Sequence, residues 1–240
     1  MKEYGLAKIS NVQRACELIE YLKNRPKTEM VGLGLLYGEP GLGKSRFARL
    51  SAIQNDYIYF RLEASMTLKS FAVKLLEMVY FHFGLPKVKA TGNANVIFNK
   101  ALDILRNYEN TVIMIDEIDY AFKSQKILGS IRDIVDETLS VVILVGMADA
   151  KEKLLMLDSH YFDRCNFFCE FKPLNSEDIH LICKEVCEVK IDPRLVKALS
   201  EKTKGNIRKL IKILYSIENL AENENIKEVG PEHLSLSKAI

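Results

Sequence analysis

Gly38-Glu39-Pro40-Gly41-Leu42-Gly43-Lys44-Ser45 sets glycines, a lysine and a hydroxyl side by side in one short run. Such a run wraps backbone N–H groups around an anion, because glycine lets successive amides turn inward. Lys44 then reaches the outer phosphates, and Ser45 Oγ is placed to ligate magnesium. All eight residues, Gly38 to Ser45, are therefore candidates to hold a nucleoside triphosphate, with ATP and Mg2+ as the implied ligands. Downstream, Thr111-Val112-Ile113-Met114-Ile115 has the β-branched pattern of a short buried strand that ends on Asp116 and Glu117. Phosphoryl transfer to water needs a carboxylate at the metal and a base that orients the water. Ser45 and Asp116 are the candidate metal ligands, Glu117 the candidate base, and Asp119 reads as a solvent-facing or helix-capping residue. Charge at the leaving oxygen calls for a guanidinium. Arg164, in the stretch 160–168, and Arg208, after Gly205-Asn206-Ile207, are the candidates.

These residues must be carried by elements. Val31 to Tyr37 is an apolar run entering the glycine loop, and a helix-compatible stretch leaves it. Before it, Val12, Ala15, Leu18, Ile19 and Leu22 recur at helical spacing, with Ser10 or Asn11 as the expected cap. Tyr57 to Phe60 reads as a strand. Thr67 is expected to cap a long helix whose stripe is Leu68, Phe71, Ala72, Leu75, Leu76 and Val79, stopped by Gly84 and Pro86. Residues 84–95 read as loop, about 96–108 and 127–139 as helices, and Val141 to Val145 and Phe167 to Phe171 as strands. The alternation predicts a parallel sheet flanked by helices, with ligands at the carboxyl ends of the strands. After Pro173 the pattern is helical throughout. Asn175 with Asp178, Asp192-Pro193, and Gly205 open three helices, which predicts an α/β domain over residues 1–173 and a small all-helical domain over 174–240.

Composition narrows the class. The 240 residues carry a net charge of +2 and 48% hydrophobic residues, typical of a globular chain with one substantial core. Such a balance neither requires nor excludes a polyanion partner, so any nucleic-acid site is local. No apolar run is long enough to cross a bilayer and residues 1–4 are not a signal peptide, so a cytoplasmic protein with no membrane partner is expected. Five cysteines, Cys16, Cys165, Cys169, Cys183 and Cys187, are expected as reduced, buried small hydrophobes rather than zinc ligands.

Taken together, the glycine loop, Ile113-Met114-Ile115-Asp116-Glu117-Ile118-Asp119, Val142-Ile143-Leu144-Val145-Gly146-Met147, Phe162-Asp163-Arg164, Phe171-Lys172-Pro173-Leu174 and Lys204-Gly205-Asn206-Ile207-Arg208 resemble the AAA+ ATPases. Within them the chain is similar to transposition regulators of the phage Mu B and TnsC group. The resemblance implies a P-loop nucleoside triphosphatase core with a C-terminal helical lid, Walker A at Gly38 to Ser45 and Walker B at Asp116 and Glu117. It also implies an intersubunit arginine finger at Arg164 and a sensor arginine at Arg208. Two departures stand out. Met147 occupies the polar sensor position, leaving Asp149 as the candidate replacement, and a counterpart of the N-terminal DNA-binding domain of the Mu B protein is not expected.

The function these features predict is an ATPase that assembles with ATP as a homo-oligomeric ring or helical filament on double-stranded DNA, without sequence preference, and regulates a transposase or another DNA-processing protein. A replication initiator or loader that remodels a protein partner is the alternative. A nucleotide-switched adaptor with negligible hydrolysis is a third, and Glu117 counts against it. Two lysine groups, Lys69, Lys74, Lys87 and Lys89, and Lys202, Lys204, Lys209 and Lys212, are the candidate phosphate contacts.

Overall fold

The computed structural model describes residues 5–86, 89–157, 165 and 167–234. They group into two compact units, one drawn from Met1–Arg14, Glu39–Gly43 and Phe171–Ile240, the other from Ala15–Gly38 and Lys44–Glu170.

The chain opens with helix α1, Ser10–Lys23. Its buried stripe is Val12, Ala15, Ile19 and Leu22. Ser10 is already helical, so neither Ser10 nor Asn11 acts as the expected cap. Asn11 is buried and clamps a backbone instead, donating to the Lys172 carbonyl at 2.8 Å and accepting the Lys172 N–H at 2.9 Å. The Ser10 N–H is met by Asp178 Oδ1 at 2.7 Å.

In the larger unit, β1 (Gly32–Gly38) leads through the glycine loop into α2 (Lys44–Asn55) and β2 (Ile58–Arg61). Next comes α3 (Leu68–His82), closed at its start by a reciprocal box in which Thr67 accepts from the Ser70 N–H and Ser70 from the Thr67 N–H. The helix expected from about 96 starts two residues earlier, because Asn93 accepts the Val96 N–H and caps α4 at Ala94–Leu105. There follow β3 (Val112–Asp116), a 3-10 turn (Ile118–Lys123), α5 (Gln125–Glu137), β4 (Val141–Val145), α6 (Ala150–Leu157) and β5 (Phe167–Phe171).

The strands form one sheet in the order β2-β3-β4-β1-β5, and the β2–β3, β3–β4 and β4–β1 pairs are parallel. Both central strands β3 and β4 are buried along their whole length, which is why they read as continuous apolar runs. One face is covered by α3 and α4. Phe71 meets Phe60 edge-on at 5.2 Å between centroids, and Leu75, Leu76, Ile97 and Leu102 complete the layer. Burying Phe71 fully, as here, makes truncation to alanine cost about 3–5 kcal/mol.

The smaller unit holds α7 (Ser176–Val186), α8 (Pro193–Thr203) and α9 (Ile207–Glu224). Asn175, Asp192 and Asn206 cap them, each accepting a first-turn N–H. Lys204 closes α8 in the left-handed region, and Gly205 follows at φ +70°, where a Cβ would lie 2.6 Å from the Leu174 nitrogen. The helical character expected after Pro173 holds, with one addition. A two-residue parallel ladder joins β6 (Lys190–Ile191) to β7 (Glu228–Val229), a pairing too short to leave a strand signature in the sequence.

Candidate nucleotide-binding site

The site is built at the carboxyl end of β1 and β3. Gly38, Gly41 and Gly43 all take positive φ, +144°, +84° and +94°, which gives the loop between β1 and α2 its wrapped form. Lys44 is buried, and its ammonium donates to the Gly38 carbonyl at 2.7 Å, folded back over the loop it belongs to. Ser45 stands in the first turn of α2, where the helix end adds positive potential.

Asp116 ends β3 with 2% exposure. A carboxylate at that depth needs donors. Ser45 Oγ donates to Oδ1 at 3.1 Å, the Glu117 N–H to the same oxygen at 2.9 Å, and the Tyr59 hydroxyl to Oδ2 at 2.7 Å. Glu117 leaves the strand in the left-handed region at φ 59°, ψ 44°, a conformation that costs a non-glycine residue about 1 kcal/mol or more. That kink turns Glu117 out of the buried strand to a half-exposed position, where Arg61 donates to its Oε1 at 3.2 Å. The convergent hydroxyl and carboxylate of Ser45 and Asp116 are the oxygen donors that suit magnesium. Glu117 is free of the strand's burial and able to polarise a water.

Tyr59 and Arg61 were not singled out by sequence reasoning. Parallel pairing sets Arg61 opposite Asp116 and Tyr59 opposite Met114. Alternation puts Tyr59 and Arg61 on one face of β2, so one edge strand supplies a partner to each carboxylate. Burial, reinforced by the bond to Asp116, pushes the Tyr59 phenol above its ordinary range, so it stays a donor across the physiological range. The available signal was two polar-tipped residues two apart in a predicted strand, a signal shared by any half-buried strand.

Within the smaller unit, the loop residues 39–43 meet the start of α9. Asn206 Nδ2 donates to the Pro40 carbonyl at 3.0 Å, and the Arg208 N–H donates to the Gly41 carbonyl at 3.2 Å. Arg208 itself is exposed. Arg164 and Lys87 lie outside the described residues.

Several expectations need correction. Asp119 is neither solvent-facing nor a cap: its carboxylate accepts the Met147 N–H at 2.8 Å and pairs with Lys153 at 3.3 Å, since the 3-10 turn after β3 swings it toward the end of β4. Asp149, just before α6, pairs with Lys153 of that helix at 2.8 Å. Lys74 is occupied, with Nζ on the Arg61 carbonyl and on Glu63 and near the Phe60 ring, because its helix packs on β2. Lys69, Lys89, Lys202, Lys204, Lys209 and Lys212 are exposed. Four thiols are buried, but Cys16 is exposed, lying off the buried stripe of α1. Among the described residues no helix is long and apolar enough to cross a membrane.

Comparison with known proteins bears on the family and the fold. A family model described as an AAA domain matches residues 29–154. ATPase WRNIP1 of Dictyostelium discoideum is 26% identical over 215 residues, covering 85% of this chain and 21% of that protein. The chain thus spans about a fifth of that relative's length. Among solved structures, the Aeropyrum pernix ORC1 protein in complex with DNA aligns at TM-score 0.64 and 20% identity, over 96% of this chain and 64% of that one. The Aeropyrum pernix ORC2 protein, in ADPNP-ADP complexes, aligns at TM-score 0.73 and 14% identity over 99% and 70%. A Thermotoga maritima RuvB mutant aligns at TM-score 0.62 and 17% identity over 99% and 72%. At these identities the structural likeness is one of fold.

Proposed function

The chain belongs to the AAA domain family, and on that premise we propose that it is an ATPase whose turnover governs assembly on duplex DNA. The observation that carries the proposal is the joining of Ser45 to Asp116 at 3.1 Å, with Glu117 turned out beside them. In this reading Gly38, Glu39, Pro40, Gly41, Leu42, Gly43, Lys44 and Ser45 hold ATP. The loop amides and the Lys44 ammonium take the phosphate charge, and binding requires Lys44 to leave the Gly38 carbonyl for the phosphates. Ser45 and Asp116 hold Mg2+, which supplies further charge neutralisation when bound. Glu117 accepts a proton from the attacking water, and Arg61 restrains it until the site is complete. Arg208 reports the phosphates to the helical lid, with residues 174–240 taken as the lid and 1–173 as the α/β domain. Arg164 acts as a finger in the site of a neighbouring copy.

The finer reading is a regulator of a transposase or another DNA-processing protein, working as a homo-oligomeric ring or helical filament and supported by the motif resemblance to the Mu B and TnsC group. A second reading, an initiator or loader, is supported by the likeness to origin-recognition folds, one of them solved with DNA. Both use non-specific phosphate contacts, for which exposed Lys69, Lys89, Lys202, Lys204, Lys209 and Lys212 are the candidates.

Anisotropy of a labelled random duplex, measured with a non-hydrolysable ATP analogue, with ADP and with no nucleotide across a salt series, tests the proposal. Binding confined to the ATP state and falling steeply with salt is expected, since an array repeats weak contacts. Equal, negligible binding in all three states would remove the DNA role and leave a protein-remodelling ATPase.

A further inference from the structure

Asn206 makes two bonds at once. Its Oδ1 accepts the Lys209 N–H at 3.1 Å, capping α9, while its Nδ2 donates to the Pro40 carbonyl at 3.0 Å. The two roles fix the amide orientation, because a flipped side chain would set a donor against an N–H and an acceptor against a carbonyl. One residue pair further on, the Arg208 N–H meets the Gly41 carbonyl at 3.2 Å. Two consecutive carbonyls of the phosphate loop are therefore held toward the start of α9.

Peptide planarity gives this arrangement a consequence. In a trans unit the carbonyl of one residue and the N–H of the next point in opposite directions. Holding the Pro40 and Gly41 carbonyls toward α9 turns the Gly41 and Leu42 N–H groups away from it, outward for an anion. Gly41 makes the approach possible. At φ +84° it favours glycine, and a Cβ there would lie 2.6 Å from the Asn206 amide.

We propose that Asn206 is a positioning residue for phosphate binding, preorganising the Gly41 and Leu42 amides from the start of α9. The proposal rests on the nucleotide-binding reading. It goes beyond it in assigning the geometry of the loop to a residue more than 160 positions away in the chain. Arg208 is thereby brought into register with the loop by its own backbone, before any contact of its guanidinium.

Asn206→Ser separates the two roles. A serine still caps the helix, but its hydroxyl is one bond shorter than the amide nitrogen and falls short of Pro40. Thermal stability should stay near wild type in Asn206→Ser and fall in Asn206→Ala. Affinity for ATP, ADP and pyrophosphate should fall about tenfold in both variants, as expected for one lost bond that orients two donors. The KM for ATP should rise with kcat little changed, the signature of uniform binding loss. In the protein without nucleotide, the Gly41 and Leu42 amide resonances should shift and their hydrogen exchange quicken in Asn206→Ser. Wild-type affinity and unmoved loop amides in Asn206→Ser would overturn the proposal and reduce Asn206 to a helix cap. Should the wild type bind none of the three ligands, the nucleotide reading fails, while the amide measurement still decides whether Asn206 orders the loop.

Discussion

Tyr59→Phe removes one oxygen and leaves the ring, so its effect isolates the hydrogen bond to Asp116. The acceptor is a carboxylate with 2% exposure, and the bond at Oδ2 is 2.7 Å. A hydrogen bond to a charged group contributes about 1.5–3 kcal/mol, and a buried acceptor left behind cannot recover it from solvent. For a chain of this size each kcal/mol moves the midpoint by about 2–4 °C, so the melting temperature should drop by about 3–12 °C. The measurement is thermal unfolding by circular dichroism in EDTA. Because the lost bond also steadies the carboxylate beside Ser45, the same variant should need a several-fold higher Mg2+ concentration to reach half-maximal fluorescent-nucleotide binding. A melting temperature within about 1 °C of wild type, together with an unchanged Mg2+ requirement, would refute the reasoning. A lowered melting temperature with an unchanged Mg2+ requirement would confine Tyr59 to a structural role.

Lys44→Ala should lose ATP binding in an equilibrium titration, whereas Glu117→Gln should bind ATP and hydrolyse it about a hundredfold or more slower; wild-type turnover in Glu117→Gln would discard Glu117 as the base. Arg61→Ala should raise basal turnover about two- to fivefold without changing ATP affinity, since it frees Glu117 from its 3.2 Å ion pair; a phosphate-release assay showing no change would leave that pair a surface contact. Alkylation at pH 8 followed by mass spectrometry should label Cys16 first. Cys165, whose thiol burial pushes up to about 12, should react only after denaturation; early labelling of Cys165 would show that its part of the core opens readily.

Residues that act through type and local order were legible in the sequence. The phosphate loop is one, because glycine's conformational freedom and the lysine and serine that follow are consecutive in the chain. The β3 and β4 cores are another, since burial on both faces forces an unbroken apolar run. The caps at Thr67, Asn175 and Asp192 belong here too, a cap being a contact across two or three residues. What tertiary structure decided were partnerships across distance. Asp116 gains Tyr59 because parallel pairing sets β2 beside β3 in one register, and a shift of one residue would turn Tyr59 to the other face. Asp119 serves the end of β4 because a turn bends it there, and Lys74 is used up by β2 because its helix packs against that strand. Asn11 carries the residue type of a cap, yet it clamps Lys172, since what a side-chain amide bonds depends on which backbone stands opposite. Asn206 lay in plain view within Lys204-Gly205-Asn206-Ile207-Arg208, and its sequence position announced only the start of a helix. Its bond to Pro40 required the fold to bring that helix start to the loop, since hydrogen bonding is decided within about 3 Å and the sequence specifies that proximity only through the packing of the whole chain.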